Sequence, residues 1–262
     1  MPDVHDLITD LAEEGAGLDA LVADLTADGW ATETSAPGWT ISHQVSHLAW
    51  TDAWALRALR DPEGFEAAGR AAFAKLDNIV DEGAEAGARR PHGEVLADWR
   101  AGRAELAVEL AKADPGTKMP WFGPPMKPIS MATARIMETW AHGEDVADAL
   151  GVVRAPTARL RHIAHLGFRT VPFAFMANRL PAPEAALRVE LTSPDGELWA
   201  WGPEDAENRI TGPALDFCLR VTQRRHPADL ALTAVGPVAV AWLPIAQVFA
   251  GPPGEGRAAT GA

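Results

Sequence analysis

Tyrosine is missing from this chain altogether, and cysteine occurs once, as Cys218. A single thiol excludes an intramolecular disulfide, so packing and hydrogen bonds must hold the fold. That usage suits a reducing, cytoplasmic compartment. Positive charge is also sparse. Lys and Arg total 23 against 36 Asp and Glu, a formal net charge of −13, and no basic run occurs. Such a surface repels phosphate backbones and anionic lipid, which excludes nucleic acid and a membrane surface as expected partners. No apolar run reaches the length that spans a bilayer. The opening Met1-Pro2-Asp3 has neither a basic nor an apolar stretch behind it, so no secretory signal is read there. No Gly-rich phosphate loop follows a strand, and there is no Gly-x-Ser-x-Gly or Cys-x-x-Cys. Those absences remove the nucleotide-loop, serine-elbow and dithiol chemistries.

What is present suffices for a core. Hydrophobic residues make up 47% of 262 positions, with ten tryptophans, enough for one large or two modest domains. Leu7, Leu11, Leu18, Leu21 and Leu25 give a helical period over residues 3–28. A second helix starts at Thr40 or Ser42 as N-cap and stops at Asp61-Pro62. Residues 63–89 read as a Gly-interrupted helical stretch, and 93–113 as another long helix. Five prolines between 115 and 129 exclude regular helix there. That apolar loop either lines a pocket or simply crosses a bundle end. Ser130 is the expected N-cap of a helix running to Leu150, with Gly151 as its terminator. A helix over 157–179 must kink or split at Pro172. After residue 186 the period becomes two. Leu187, Val189 and Leu191 alternate with polar residues, Pro194-Asp195-Gly196 is a turn, and 198–201 is the partner strand. Strands at 207–211 and 230–235 and helices at 212–223 and 238–249 follow. The expected class is therefore α+β. A helical bundle over 1–155 is followed by a connecting helix and linker over 156–185, a small α+β domain over 186–252 and a disordered tail over 253–262.

The chemistry concentrates in Arg135-Ile-Met-Glu-Thr-Trp-Ala-His-Gly-Glu-Asp145. Glu138 and His142 stand four apart, on one helical face, where a carboxylate and an imidazole can share a divalent cation. His43 and His47 have the same spacing on an earlier helix. A bundle core can bring two such pairs together. One of these histidines with Glu138 and His142 makes a three-ligand set with an open position, the pattern of a catalytic site. Asp145, one turn beyond His142, is placed to orient it, a solvated acid being the plainer reading. Glu144 reads as surface. Arg135 can pair with Glu138, meet an anionic ligand or face solvent. His162 and His165 lack a carboxylate and read as packing or surface. Cys218, between Phe217 and Leu219, reads as a buried inert thiol.

Two segments carry a family resemblance. Trp39-Thr-Ile-Ser-His-Gln-Val-Ser-His47-Leu-Ala resembles the Trp-x-x-x-Asp/His-x-x-x-His-Leu segment of the DinB-like metal-binding bundles. Arg135-x-x-Glu138-x-x-x-His142-x-x-Asp145, followed by Ala149-Leu-Gly151, is similar to their second ligand helix. The branch it resembles is that of mycothiol-dependent maleylpyruvate isomerase, a four-helix bundle followed by a small sterol-carrier-like α+β domain. The stretch from Ile210 to Arg224 resembles the first helix region of that second domain. The resemblance implies His47, Glu138 and His142 as ligands of a divalent metal, with zinc expected, and mycothiol as a thiol cosubstrate. His43 stands where many relatives carry an acid. A supporting or substrate-side role for His43 is open, and so is a neutral replacement; His43, Asp145 and Arg135 are the candidates around the ligands. Arg220, Arg224 and Arg225 form a basic cluster considered for the thiol cofactor, surface being the plainer reading. The implied function is an isomerase or S-transferase acting on a small electrophilic or carbonyl-containing metabolite. A hydrolase or lyase using metal-bound water, and a non-catalytic metal- or small-molecule-binding protein, stay open. A small molecule is the expected partner, with monomer and homodimer both open. Abundant Ala and Arg with few Lys suits an actinobacterial genome.

Overall fold

In the computed structural model, residues 4–73, 79–254 and 256–260 are described. The chain divides into two compact units, Met1–Arg154 and Ala155–Ala262.

The first unit is helical. It holds α1 (Val4–Val22), α2 (Ala27–Trp30), α3 (Ile41–Arg60), α4 (Pro62–Phe73), α5 (Ile79–Ala88), α6 (His92–Lys112) and α7 (Pro128–Leu150). The long helices α1, α3, α6 and α7 form a bundle with two core layers. One layer gathers Leu7, Ala55, Leu106 and Met131, one residue from each helix. The other gathers Leu18, Val45, Trp99 and Val146 in the same way. Each helix thus gives its apolar stripe to both layers, as bundle packing requires.

Helix ends follow local chemistry more than period. α1 stops at Val22, and Thr26 restarts the chain as α2 by accepting from the Gly29 N–H at 3.3 Å. α3 takes Thr40 as N-cap. His43 Nδ1 accepts from the Thr40 N–H at 3.2 Å, doing the work a Glu does in a capping box. α7 starts earlier than Ser130. Lys127 is its N-cap and Pro128 its first residue, where the missing N–H costs nothing. It ends at Gly151 with φ +66°, a left-handed position that glycine occupies without strain. The expected helical stretch 63–89 is divided between α4 and α5, and its residues 74–78 lie outside the described set. The Pro-rich loop folds back on itself through paired bonds between Met119 and Met126, of 2.8 and 2.9 Å. It lines a cleft with Pro120, Trp121 and Pro125 opposite Phe65 of α4.

The second unit begins with the stretch expected as a connector. Its helix splits at Thr170 into α8 (Leu160–Arg169) and α9 (Val171–Ala177), with Pro172 in the first turn of α9. The sheet has the order β2-β1-β3-β4. Its strands are β1 (Leu187–Thr192), β2 (Leu198–Trp201), β3 (Asn208–Pro213) and β4 (Thr233–Val235). β1 pairs antiparallel with β2 and parallel with β3, and β3 pairs antiparallel with β4. α10 (Ala214–Val221) follows β3 and packs on α8, where Gly167 lies against Phe217 and Val221. α11 (Pro237–Trp242) is shorter than the expected 238–249, because Pro244 cannot continue it. Within 253–262, which composition reads as a disordered tail, the Thr260 hydroxyl donates to Asp229 Oδ1 at 2.7 Å. Residues 255, 261 and 262 lie outside the described set. The architecture is α+β: a helical bundle, then a small mixed sheet with helices. Among the described residues no helix is long and apolar enough to cross a membrane.

Glu144 corrects a surface reading. It is buried at 9% exposure, and Arg154 just past α7 bonds to it at 2.9 Å. Arg154 also pairs with Glu14 of α1, which is 1% exposed. One guanidinium therefore serves two buried carboxylates and ties α1 to α7. Arg154→Ala should lower unfolding free energy by roughly 3–5 kcal/mol, the range for stripping a partner from buried charge. Urea denaturation of the variant checks this; a loss under about 1 kcal/mol, the surface-pair range, would contradict it.

Candidate metal centre

α3 and α7 meet along a polar seam. Three contacts cross it in antiparallel order: Gln44 with His142, His47 with Glu138, and Asp52 with Arg135. The middle of that seam is the candidate centre. His47 projects from the second turn of α3, and Glu138 and His142 from successive turns of α7. His47 Nε2 lies 3.5 Å from Glu138 Oε2, and His142 Nε2 lies 3.3 Å from the same oxygen. The donor atoms of the three residues all fall within 4.8 Å of one another. A tetrahedral ion with bonds of about 2.1 Å sets its donors about 3.4 Å apart. The two measured separations therefore suit one shared ion.

The charge states suit it as well. Burial is the main cause that pushes the His47 imidazole down to about 4, and the field of His142 adds to it. His47 is therefore neutral at pH 7 and has a lone pair to give. Burial alone would raise the Glu138 carboxyl, but its bonds with His142 and His47 outweigh that and hold it well below the usual carboxylate range. Two imidazoles and one carboxylate are the donor set of an N,N,O site, which zinc accepts. Indoles wall it. Trp39 stacks on His142 with centroids 6.1 Å apart and planes at 16°, and lies 5.4 Å from His47. Trp50 stacks on the His47 ring at 6.3 Å and continues into Phe122 at 6.0 Å.

The other sequence candidates lie outside the trio. His43 is turned to Thr40 and to Glu85 of α5, with Nε2 2.7 Å from Glu85 Oε2. Asp145 is buried, but its Oδ2 is 3.7 Å from His142 Nδ1, beyond hydrogen-bond range. Arg135 does not pair with Glu138. It is 2% exposed, and its Nε donates to Asp52 Oδ1 at 2.8 Å. Burial pushes the Asp52 carboxyl up and Arg135 opposes that. In the second unit Arg220 is buried and donates to Leu243 O at 2.7 Å and to Pro244 O. Arg224 donates to Thr222 O at 2.7 Å, and Arg225 to Arg224 O at the same distance. Each of those bonds is to a backbone carbonyl of the second unit. Sequence reasoning missed Gln44, Asp52 and Trp39 as neighbours of the centre. Gln44 and Asp52 lie on the His47 helix, three residues before and five after, and that proximity was the available signal.

The fold defines a class, a helical bundle followed by a small α+β unit. A family profile described as the mycothiol maleylpyruvate isomerase N-terminal domain matches residues 11–147. The chain belongs to that family. A second profile, described as wyosine base formation, matches residues 183–235. Two curated relatives from Mycobacterium tuberculosis strains, named "Uncharacterized protein MT0041" and "Uncharacterized protein Rv0036c", are each 54% identical over 257 residues, 98% of this chain and 100% of theirs. The crystal structure of the mycothiol-dependent maleylpyruvate isomerase is similar with a TM-score of 0.61 and 15% identity, covering 89% of this chain and 93% of that one. A histidine-to-alanine mutant of that enzyme gives 0.60 and 14% over the same shares. At such identity the likeness shows the fold.

The low His47 value has a pH consequence. A group depressed in the fold contributes stability above its unfolded value, about 6.5, and loses it as pH falls through its folded value, about 4. Metal-free protein should therefore lose stability between pH 6.5 and 4, by an amount on the order of 3 kcal/mol for His47. Chemical denaturation at stepped pH measures it. His47→Asn should flatten the slope in that window; an unchanged slope would assign the loss to other groups.

Proposed function

We propose that this protein is a divalent-metal-dependent enzyme that presents a metal-activated thiol to a small electrophilic or carbonyl-containing metabolite, as an isomerase or S-transferase. The thiol proposed is mycothiol and the ion zinc. The observation that carries the reading is the gathering of His47, Glu138 and His142 donors at the spacing of one ion, inside the family's own bundle. The structural neighbour is a mycothiol-dependent maleylpyruvate isomerase, which supports the choice of thiol.

When bound, zinc lowers the pKa of a coordinated thiol or water and polarises a carbonyl. The chain's residues set the terms for that chemistry. His47 and His142 give neutral nitrogen donors and Glu138 gives one negative charge. Three protein donors leave a position for an exogenous group. Glu138 is the single carboxylate among these donors, so a dication held by the trio would keep a net positive charge and would favour an anionic thiolate beside it over a neutral thiol. Trp39 and Trp50 flank the His47 ring and restrict water to the remaining side. Asp52 and Arg135 hold α3 to α7 below the donors, and His43 fixes the start of α3. Arg220, Arg224 and Arg225 are given no part in this reading.

Metal analysis with a thiol-dependence assay tests it. The purified protein should hold about one zinc per chain, and His142→Ala or Glu138→Ala should lose most of it. Turnover of electrophilic keto acids should require mycothiol and stop on chelation. Full metal content in His142→Ala would overturn the ligand assignment. Metal-dependent turnover indifferent to any thiol would leave the ligands standing and point to water as the nucleophile.

A further inference from the structure

A neutral imidazole ligates only through the nitrogen that lacks a proton. For His142 the ligating atom is Nε2, 3.3 Å from Glu138 Oε2, so the proton must sit on Nδ1. Gln44 stands at that nitrogen, with Oε1 2.5 Å away. An amide can meet a ring with its oxygen or its NH2 end, and only the oxygen end calls for a proton on Nδ1. The choice of end is made one step further out. Gln44 Nε2 donates to Thr34 Oγ1 at 2.8 Å. The Thr34 hydroxyl gives its own proton to Trp39 O at 2.9 Å, so its oxygen accepts from Gln44. The Thr34 N–H bonds the same carbonyl at 2.8 Å, and a bridge between Glu33 and Thr40 closes the loop around it. Gln44 is 0% exposed, so water offers neither end of the amide an alternative.

We infer that Gln44 is a positioning residue for metal binding: anchored by Thr34, its amide oxygen holds His142 in the Nδ1–H tautomer and keeps Nε2 open to the ion. The inference rests on the metal reading of the trio. It gives the loop before α3 a function at a distance, because that loop orients the amide that orients the ligand. A cation bound by the trio would take the place of the contact between His142 Nε2 and Glu138 Oε2, now 3.3 Å apart, while the bond from Nδ1 to Gln44 stays in place. Asp145 Oδ2 lies 3.7 Å from Nδ1, beyond hydrogen-bond range of that nitrogen. His47 lacks such a device. Its Nδ1 is buried without a hydrogen-bond partner, so His142 is the anchored member of the pair.

The test is zinc affinity of the full chain, read by competition with a chromophoric chelator, on four proteins. Gln44→Leu should bind zinc about 10–100-fold more weakly than the wild type, the usual range for losing a group that orients a ligand. Gln44→Glu keeps an acceptor at Nδ1 and should restore affinity to within a few-fold. Thr34→Val touches neither the trio nor His142, yet frees the amide to turn and should weaken binding several-fold. Nitrogen-15 spectra of the metal-free wild type should show the His142 proton on Nδ1, with that preference reduced in Thr34→Val. A purely structural role for Gln44 predicts neither the rescue by Glu nor the tautomer shift. Wild-type affinity in Gln44→Leu and Thr34→Val, or a His142 proton on Nε2, overturns the inference while leaving the metal centre intact. If Gln44→Leu fails to fold, Thr34→Val and the tautomer decide. A wild type that binds no zinc overturns the metal reading and this inference with it.

Discussion

The approach of α3 to α7 through polar side chains is the constraint on which the first unit depends. Bundle helices ordinarily meet through apolar residues, and here two core layers do that work on either side. Between them the facing positions are Gln44, His47 and Asp52 on one helix and His142, Glu138 and Arg135 on the other. Each group loses water on burial, and each must recover that cost from its opposite number. Asp52 and Arg135 do so as an ion pair, and Gln44 and His142 as a hydrogen bond. His47 and Glu138 do so least well: their closest atoms are 3.5 Å apart and His47 Nδ1 has no partner. The Arg135 step is also incomplete, because its Nη2 is buried without a hydrogen-bond partner. Of the two underbonded places, the one between His47, Glu138 and His142 has lone-pair donors that suit a small cation, and this physical content stands behind the proposed site.

The rest of the unit holds that seam in place. Arg154 ties the end of α7 to α1 through two buried carboxylates. Asp19 of α1 meets Arg100 and Arg103 of α6, and its bond with Arg100 is the main reason its carboxyl stays below the ordinary value. The loop before α3 closes over the histidines with Trp39, whose indole N–H reaches Asp81 of α5 at 3.0 Å. Elements far apart in sequence thus converge on about two turns each of α3 and α7. Their stabilities are coupled, so a change in the loop at Thr34 is felt at His142.

Much of the fold could be read from the sequence, because helical period and strand alternation are local signals. The ligand pair Glu138 and His142 was readable for the same reason: four residues is one turn. The shift from period 3.6 to period 2 near residue 186 marked the mixed sheet. The misreadings came where a local preference yielded to its neighbour. Pro128 took the helix start from Ser130, and Pro244 cut the last helix short. Glu144 looked solvated because its partner Arg154 lies beyond the helix end, folded back over it. Gln44 and Asp52 could be placed near His47 on its helix, but not against His142 and Arg135, which are 98 and 83 residues away, a distance that only the bundle closes. Arg135 had a carboxylate three residues away in Glu138 and paired instead with one on another helix, which no single-helix reasoning predicts.

The central claim is that two nitrogens and one carboxylate of this chain hold a divalent ion and leave a place for sulfur. X-ray absorption at the zinc edge of the loaded protein tests this most directly. Without thiol, the account predicts only light scatterers at about 2.0–2.2 Å, of which two are imidazole rings. With mycothiol added, one sulfur should appear at about 2.3 Å with the two imidazoles retained. A fourth protein ligand in the unliganded spectrum, or a shell without sulfur at saturating thiol, would contradict it.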